Sequence, residues 1–95
     1  MKNNKRPKGV AVYRFLQGDV EDPDFYAKLH IGEWINTSDR GRWLHQHHHG
    51  LSYTLDHDGS MDYGWEVTVY ARLRGRDLTW YLIRYPEPEC AFRTA

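Results

Sequence analysis

"RGRWLHQHHHGLSYTLDHDG", residues 40–59, contains five of the chain's six histidines and two aspartates. Imidazole and carboxylate are zinc and iron donors, and a site needs three or four of them converging at about 2.0–2.3 Å. On a strand, His45, His47 and His49 share one side, but only neighbours two apart reach one ion. On a helix, His45 and His49 pair one turn apart. Either way two ligands are supplied, and Asp56, His57 or Asp58 would add the rest across a turn. A metal centre, with zinc as the ion, therefore rests on His45, His47, His49, His57 and Asp58. Their spacing matches no metal motif, and a histidine tract alone is weak evidence for metal. The competing expectation is that these imidazoles are solvated or pack against Trp43 and Tyr53. Several adjacent imidazoles also titrate near neutrality, the requirement for a pH-dependent surface.

A second group combines aromatic rings with arginine: Tyr70, Arg72, Arg74, Tyr81 and Tyr85. On one sheet face, such a set would stack single-stranded bases while guanidinium groups track phosphate. Thirteen Lys and Arg balance thirteen Asp and Glu, however, so net charge gives no general attraction to nucleic acid. The same composition is that of a protein–protein hot spot, where tyrosine and arginine are desolvated together. Nine of the thirteen cations are arginine, which suits bidentate or stacked contacts.

Catalytic readings rank lower. Cys90 has no fixed basic partner, so a thiol nucleophile is not expected. "LRGRD" lacks the spacing of a phosphate-binding loop. A small nuclease could use His45 or His57 as acid and base with Arg72 or Arg84 on phosphate, but no mutual geometry is forced.

The elements that must position these groups follow from pattern. Ninety-five residues make one domain with a modest core, and 15% aromatic content implies a core of large rings. Residues 1–8 read as a flexible basic arm. "GVAVYRFLQG" (9–18) is β-branched and aromatic between glycines, a strand signal. "FYAKLHIGEWI" (25–35) alternates, with Ala27, Leu29, Ile31 and Ile35 on one side, and reads as a strand. Asp22-Pro23-Asp24 could instead begin a helix, but Gly32 and a poor 3.6-residue period argue against it. "WLHQHHH" (43–49) is ambiguous, and Ser38 could cap a short helix there. "LSYTLD" (51–56) alternates as a strand, and "HDGSMD" turns the chain.

"GWEVTVYARLRGRDLTWYLIRY" (64–85) reads as a long hairpin with its apex at Arg74–Asp77. Leu73 would oppose Leu78, Ala71 Trp80 and Val69 Leu82, making Trp65, Val67, Val69, Trp80 and Leu82 core. The other face would present the tyrosines and arginines. "PEPECAFRTA" (86–95) reads as a tail whose prolines stop pairing.

The expectation is an all-β domain over 9–85, an antiparallel up-and-down sheet of five to six strands curled into a barrel or sandwich. The alternative is α+β with one short helix around 38–49. A single cysteine and the lack of an export or membrane-spanning run suggest a reducing, cytoplasmic setting. In its wealth of Trp, Tyr, His and Arg without familiar motifs, the chain resembles small accessory proteins of phages and mobile elements. That resemblance implies docking on a larger host or defence protein, to inhibit or regulate it, and transfers no residues. The expected contact set is Tyr70, Arg72, Arg74, Arg76, Tyr81 and Trp43, with His45, His47, His48 and His49. Single-stranded nucleic acid is the alternative partner, and the protein itself would be a monomer or homodimer.

Overall fold

The computed structural model describes residues 9–18, 20–56 and 64–91. Seven elements follow in order: β1 (Val10–Gln17), α1 (Pro23–Thr37), α2 (Asp39–His47), β2 (Leu51–Asp56), β3 (Trp65–Ala71), α3 (Gly75–Arg84) and β4 (Glu89–Cys90). The strands form one open sheet in the order β2-β3-β1-β4. β3 is antiparallel to both β1 and β2, whereas β4 runs parallel to β1. The all-β expectation is overturned: the chain is mixed α/β, and the described residues form three helices and four strands with no closed barrel or sandwich. The α+β alternative foresaw α2 but neither of the other helices.

The three longer strands obey two-residue periodicity. Tyr13 and Tyr53 flank Val69, while Phe15 and Leu55 flank Val67, so these side chains share one face. The register shift between Ala11 and Tyr13 is a bulge, and it lets the adjacent Val12 and Tyr13 both be buried. Trp34 of α1 stacks on Tyr13 with ring centroids 4.3 Å apart, and His30 stacks on Phe15 at 3.8 Å. α1 therefore covers that face, and Ala27, Ile31 and Trp34 of α1 join Leu44 of α2 in the core. Burying each valine or leucine there stabilises the fold by roughly 1.5–3 kcal/mol. The opposite face carries Arg14, Glu66, Thr68, Tyr70, Ser52 and Thr54 in register.

Segment 25–35 is helix, not strand. Asp22 caps it by accepting a hydrogen bond from the Phe25 N–H, and Pro23 occupies the first turn. Ala27, Ile31 and Trp34 fall at i, i+4 and i+7 and are buried. Phe25, Tyr26 and Leu29 remain exposed on other sides, which blurs the helical period that sequence reading relies on. Ser38 ends α1 and begins α2: its N–H donates to the Trp34 carbonyl, and its Oγ accepts from the Gly41 N–H.

The hairpin over 64–85 is likewise corrected. Its first arm is β3, but its second is α3, so Ala71 faces Val10 and Leu51 rather than Trp80, and Val69 never meets Leu82. Leu78, Tyr81 and Tyr85 sit at i, i+3 and i+7 and turn inward, leaving Trp80 and Leu82 outside the core. The tail is corrected too. Glu89–Cys90 pairs with β1 after the prolines, held by the Trp34 Nε1–H donating to Glu89 Oε1 at 3.1 Å. The expected arm 1–8 and the turn "HDGSMD" lie outside the described residues. Among those described, no helix is long and apolar enough to cross a membrane.

Two glycines have opposite meanings. A Cβ on Gly41 would lie 2.5 Å from the Trp34 carbonyl oxygen, so the close approach of α2 to α1 requires glycine there. A Cβ on Gly32 would meet nothing within 4 Å. Glycine inside a helix costs about 1 kcal/mol relative to alanine, and the fold of the chain gives no reason for it at this position.

Candidate protein-binding surface

α2 and α3 meet through aromatic rings. Leu44 anchors α2 in the core, which turns Trp43 and His47, one helical turn apart, toward α3. The Trp43 ring is stacked on one side by His47 at 4.1 Å and also contacts Trp80 at 4.7 Å. His47 is itself fixed, since its Nδ1 bonds the Trp43 carbonyl oxygen at 2.8 Å, donating in the tautomer that this requires. Tyr81 lies 5.9 Å from Trp43 and Tyr85 stands edge-on to Trp80 at 6.4 Å.

Beneath the rings sits Arg40. Its guanidinium donates to the Val12 carbonyl, the Tyr81 hydroxyl and the Glu87 carbonyl, at 3.0–3.3 Å. It also lies 4.2 Å over the Tyr85 ring and 3.9 Å from Glu89. Burial pushes the Tyr81 phenol upward, opposed by Arg40. One cation thus ties β1, α2, α3 and the β4 approach together under the rings.

Above that base the surface is apolar. Trp80 is 45% exposed and Ile83 78%, and both line a shallow depression of about 560 Å³ with Arg76, Asp77 and Thr79. Arg76, Thr79, Trp80 and Ile83 fall at i, i+3, i+4 and i+7, forming one outward stripe of α3.

The expected contact residues are therefore redistributed. Trp43, His47 and Tyr81 come together at the α2/α3 junction, with Tyr81, only 1% exposed, as the floor, while Arg76 lines the depression beside Trp80. Tyr70 lies half-buried on the opposite sheet face, beside Ala11 and Ser52. Arg72 is exposed, with its backbone bonded to His49 and Gly50, and Arg74 is the residue before α3. The single sheet face of tyrosine and arginine does not form, because residues 75–84 are helix. His45 and His49 are exposed. Burial, reinforced by His45 and His49, holds the His48 imidazole below its ordinary pKa. His57 and Asp58 lie outside the described residues. Among those described, no three His, Cys, Asp or Glu side chains are arranged to hold a metal ion.

The histidine that sequence reading passed over has a specific buried partner. Nε2 of His30 is 2.8 Å from the Tyr13 hydroxyl, beside a small cavity bordered by Glu33, Trp34 and Thr37. Desolvation lowers the His30 pKa, against a smaller opposing pull from Glu33, and desolvation foremost raises that of Tyr13. A helical reading of 25–35 was the signal needed, since it places His30 one residue before Ile31 on the sheet-facing side.

The chain matches no known family profile, no curated protein and no solved structure.

Proposed function

We propose that this chain is a small non-catalytic binding protein that docks on a larger protein through the α2/α3 aromatic surface. The observation that carries this reading is Trp80, held nearly half exposed by its stack on Trp43 and continued by the still more exposed Ile83. Large apolar side chains are costly to hold in water, and a ring fixed by stacking loses little further freedom on binding. Tryptophan with flanking arginine is also the composition of interface hot spots. Arg76 and His47 provide the polar rim around this centre. The partner is a host or defence protein presenting an apolar concavity to Trp80, and occupancy would inhibit or redirect it.

Affinity capture from extracts of the source cells tests the assignment, comparing wild type with Trp80→Ala and Leu29→Ala. A partner retained by wild type and Leu29→Ala but lost by Trp80→Ala, with equal melting temperatures, supports it. Retention undiminished by Trp80→Ala removes it.

A further inference from the structure

We infer that the outer edge of β2, with the groove between it and α1, receives an extended peptide strand with apolar side chains at alternate positions. This is a second interface, separate from the α2/α3 surface.

β2 is the terminal strand of the sheet, so its outward backbone N–H and C=O groups have no strand partner among the described residues. Edge strands are ordinarily protected by charge, proline, bulges or extreme shortness. Leu51–Leu55 carries no charge and no proline, and the β2–β3 register runs without a shift from Leu51 to Asp56. The inner rung even continues beyond the strand, through the His49–Arg72 and Arg72–Gly50 backbone bonds. The edge is thus regular and, among the described residues, unguarded up to Asp56.

Beside it on the core side lies a groove of about 290 Å³, walled by Ile31 and Ile35 of α1 and floored by Leu51, Tyr53 and Val69. Gly32 sits on its wall, where a side chain would have open space and would narrow the channel. A glycine that the fold does not need is explained if an incoming chain needs the room.

Edge and groove together impose a chemistry on the occupant. Backbone groups pair with β2, and every second side chain turns over the strand into the apolar channel. Lys28 and Asp24 stand one turn apart on α1, with Asp24 accepting from the Tyr53 hydroxyl. They put one charge of each sign at the rim, so the flanks of the occupant carry one acid and one base. A second copy fits less well than a slim strand. Pairing two β2 edges would set the α1 helices roughly 15–20 Å apart across an unfilled apolar trough. It would also bring Tyr53 against its own mate in the register that aligns Leu51 with Leu55.

The test uses the full chain and a short capped peptide of alternating leucine and threonine with one glutamate and one lysine at its ends. Amide resonances of Leu51–Asp56 should shift saturably on titration. The same peptide N-methylated at alternate backbone nitrogens should bind about tenfold more weakly or not at all. Gly32→Leu, whose Cβ has no neighbour within 4 Å, should melt no lower than wild type and lose binding at least about tenfold. Trp80→Ala should bind the peptide as wild type does. No saturable shift overturns the proposal, as does equal binding of the methylated peptide or undiminished binding to Gly32→Leu. Concentration-dependent dimerisation that Gly32→Leu abolishes would assign the edge to a second copy and overturn it too.

Discussion

The Tyr13 hydroxyl and His30 Nε2 stand 2.8 Å apart, joining β1 to α1 between two stacked ring pairs, Tyr13 on Trp34 and His30 on Phe15. The tyrosine pKa is raised and that of the histidine lowered, so at neutral pH the phenol donates and the imidazole accepts.

This pair makes stability depend on pH. The folded His30 pKa lies below the unfolded value of about 6.5, and His48 is shifted the same way. As pH falls through that unfolded value, the unfolded chain takes up protons first. Stability is therefore full above about pH 6.5 and declines as pH falls through it toward the folded values. Denaturant melts between about pH 8 and 5 should show this slope, and His30→Gln should flatten it.

Arg40 should be among the costliest polar side chains to remove. Arg40→Ala strands the Tyr81 hydroxyl and two carbonyls at once and should destabilise the fold by about 2–3 kcal/mol. Arg40→Lys should recover little, because an ammonium cannot reproduce the planar fork over Tyr85. Chemical denaturation of both variants measures the difference.

The two glycines of the α1–α2 unit should respond in opposite directions. Gly41→Ala forces a Cβ against the Trp34 carbonyl and should cost at least about 2 kcal/mol. Gly32→Ala gains helix propensity without a clash and should stabilise by about 0.5–1 kcal/mol. Melting temperatures moving apart would verify both assignments, and a shared direction would contradict them.

Charge substitutions separate β3 from α3. Val69→Asp buries an unpaired carboxylate between Tyr13 and Tyr53 and should abolish cooperative folding. Leu82→Asp places its charge on a solvent-exposed helix face and should melt within about 1 kcal/mol of wild type. Circular dichroism of the two proteins reads both outcomes.

The sequence was most legible where burial follows a period of two. Val10–Gln17, Leu51–Asp56 and Trp65–Ala71 are all strands, and Val67 and Val69 are core. Ser38 also signalled α2 through its capping position. What misled was apolar content on more than one side of a helix. In α1, Leu29 and Phe25 are exposed while Ala27 and Ile31 are buried, so alternation imitated a strand. In α3, Trp80, Leu82 and Ile83 supply β-like residues that the fold leaves in solvent. That same misreading separates Trp80 from Trp43: in the sequence the Trp80 ring reads as core, whereas it stands half exposed on the Trp43 stack.

β4 is only two residues long, yet it adds the last strand beside β1 and brings Glu87 and Glu89 to Arg40 and Trp34. Those partners lie 47 and 55 positions earlier in the chain. A ribosome making this protein therefore exposes β1, α1 and α2 well before their final fastening exists. Until Glu89 emerges, the Trp34 indole lacks its acceptor. The Arg40 guanidinium has only the Val12 carbonyl and whatever of α3 has been made, and the nascent amino-terminal half must survive that way.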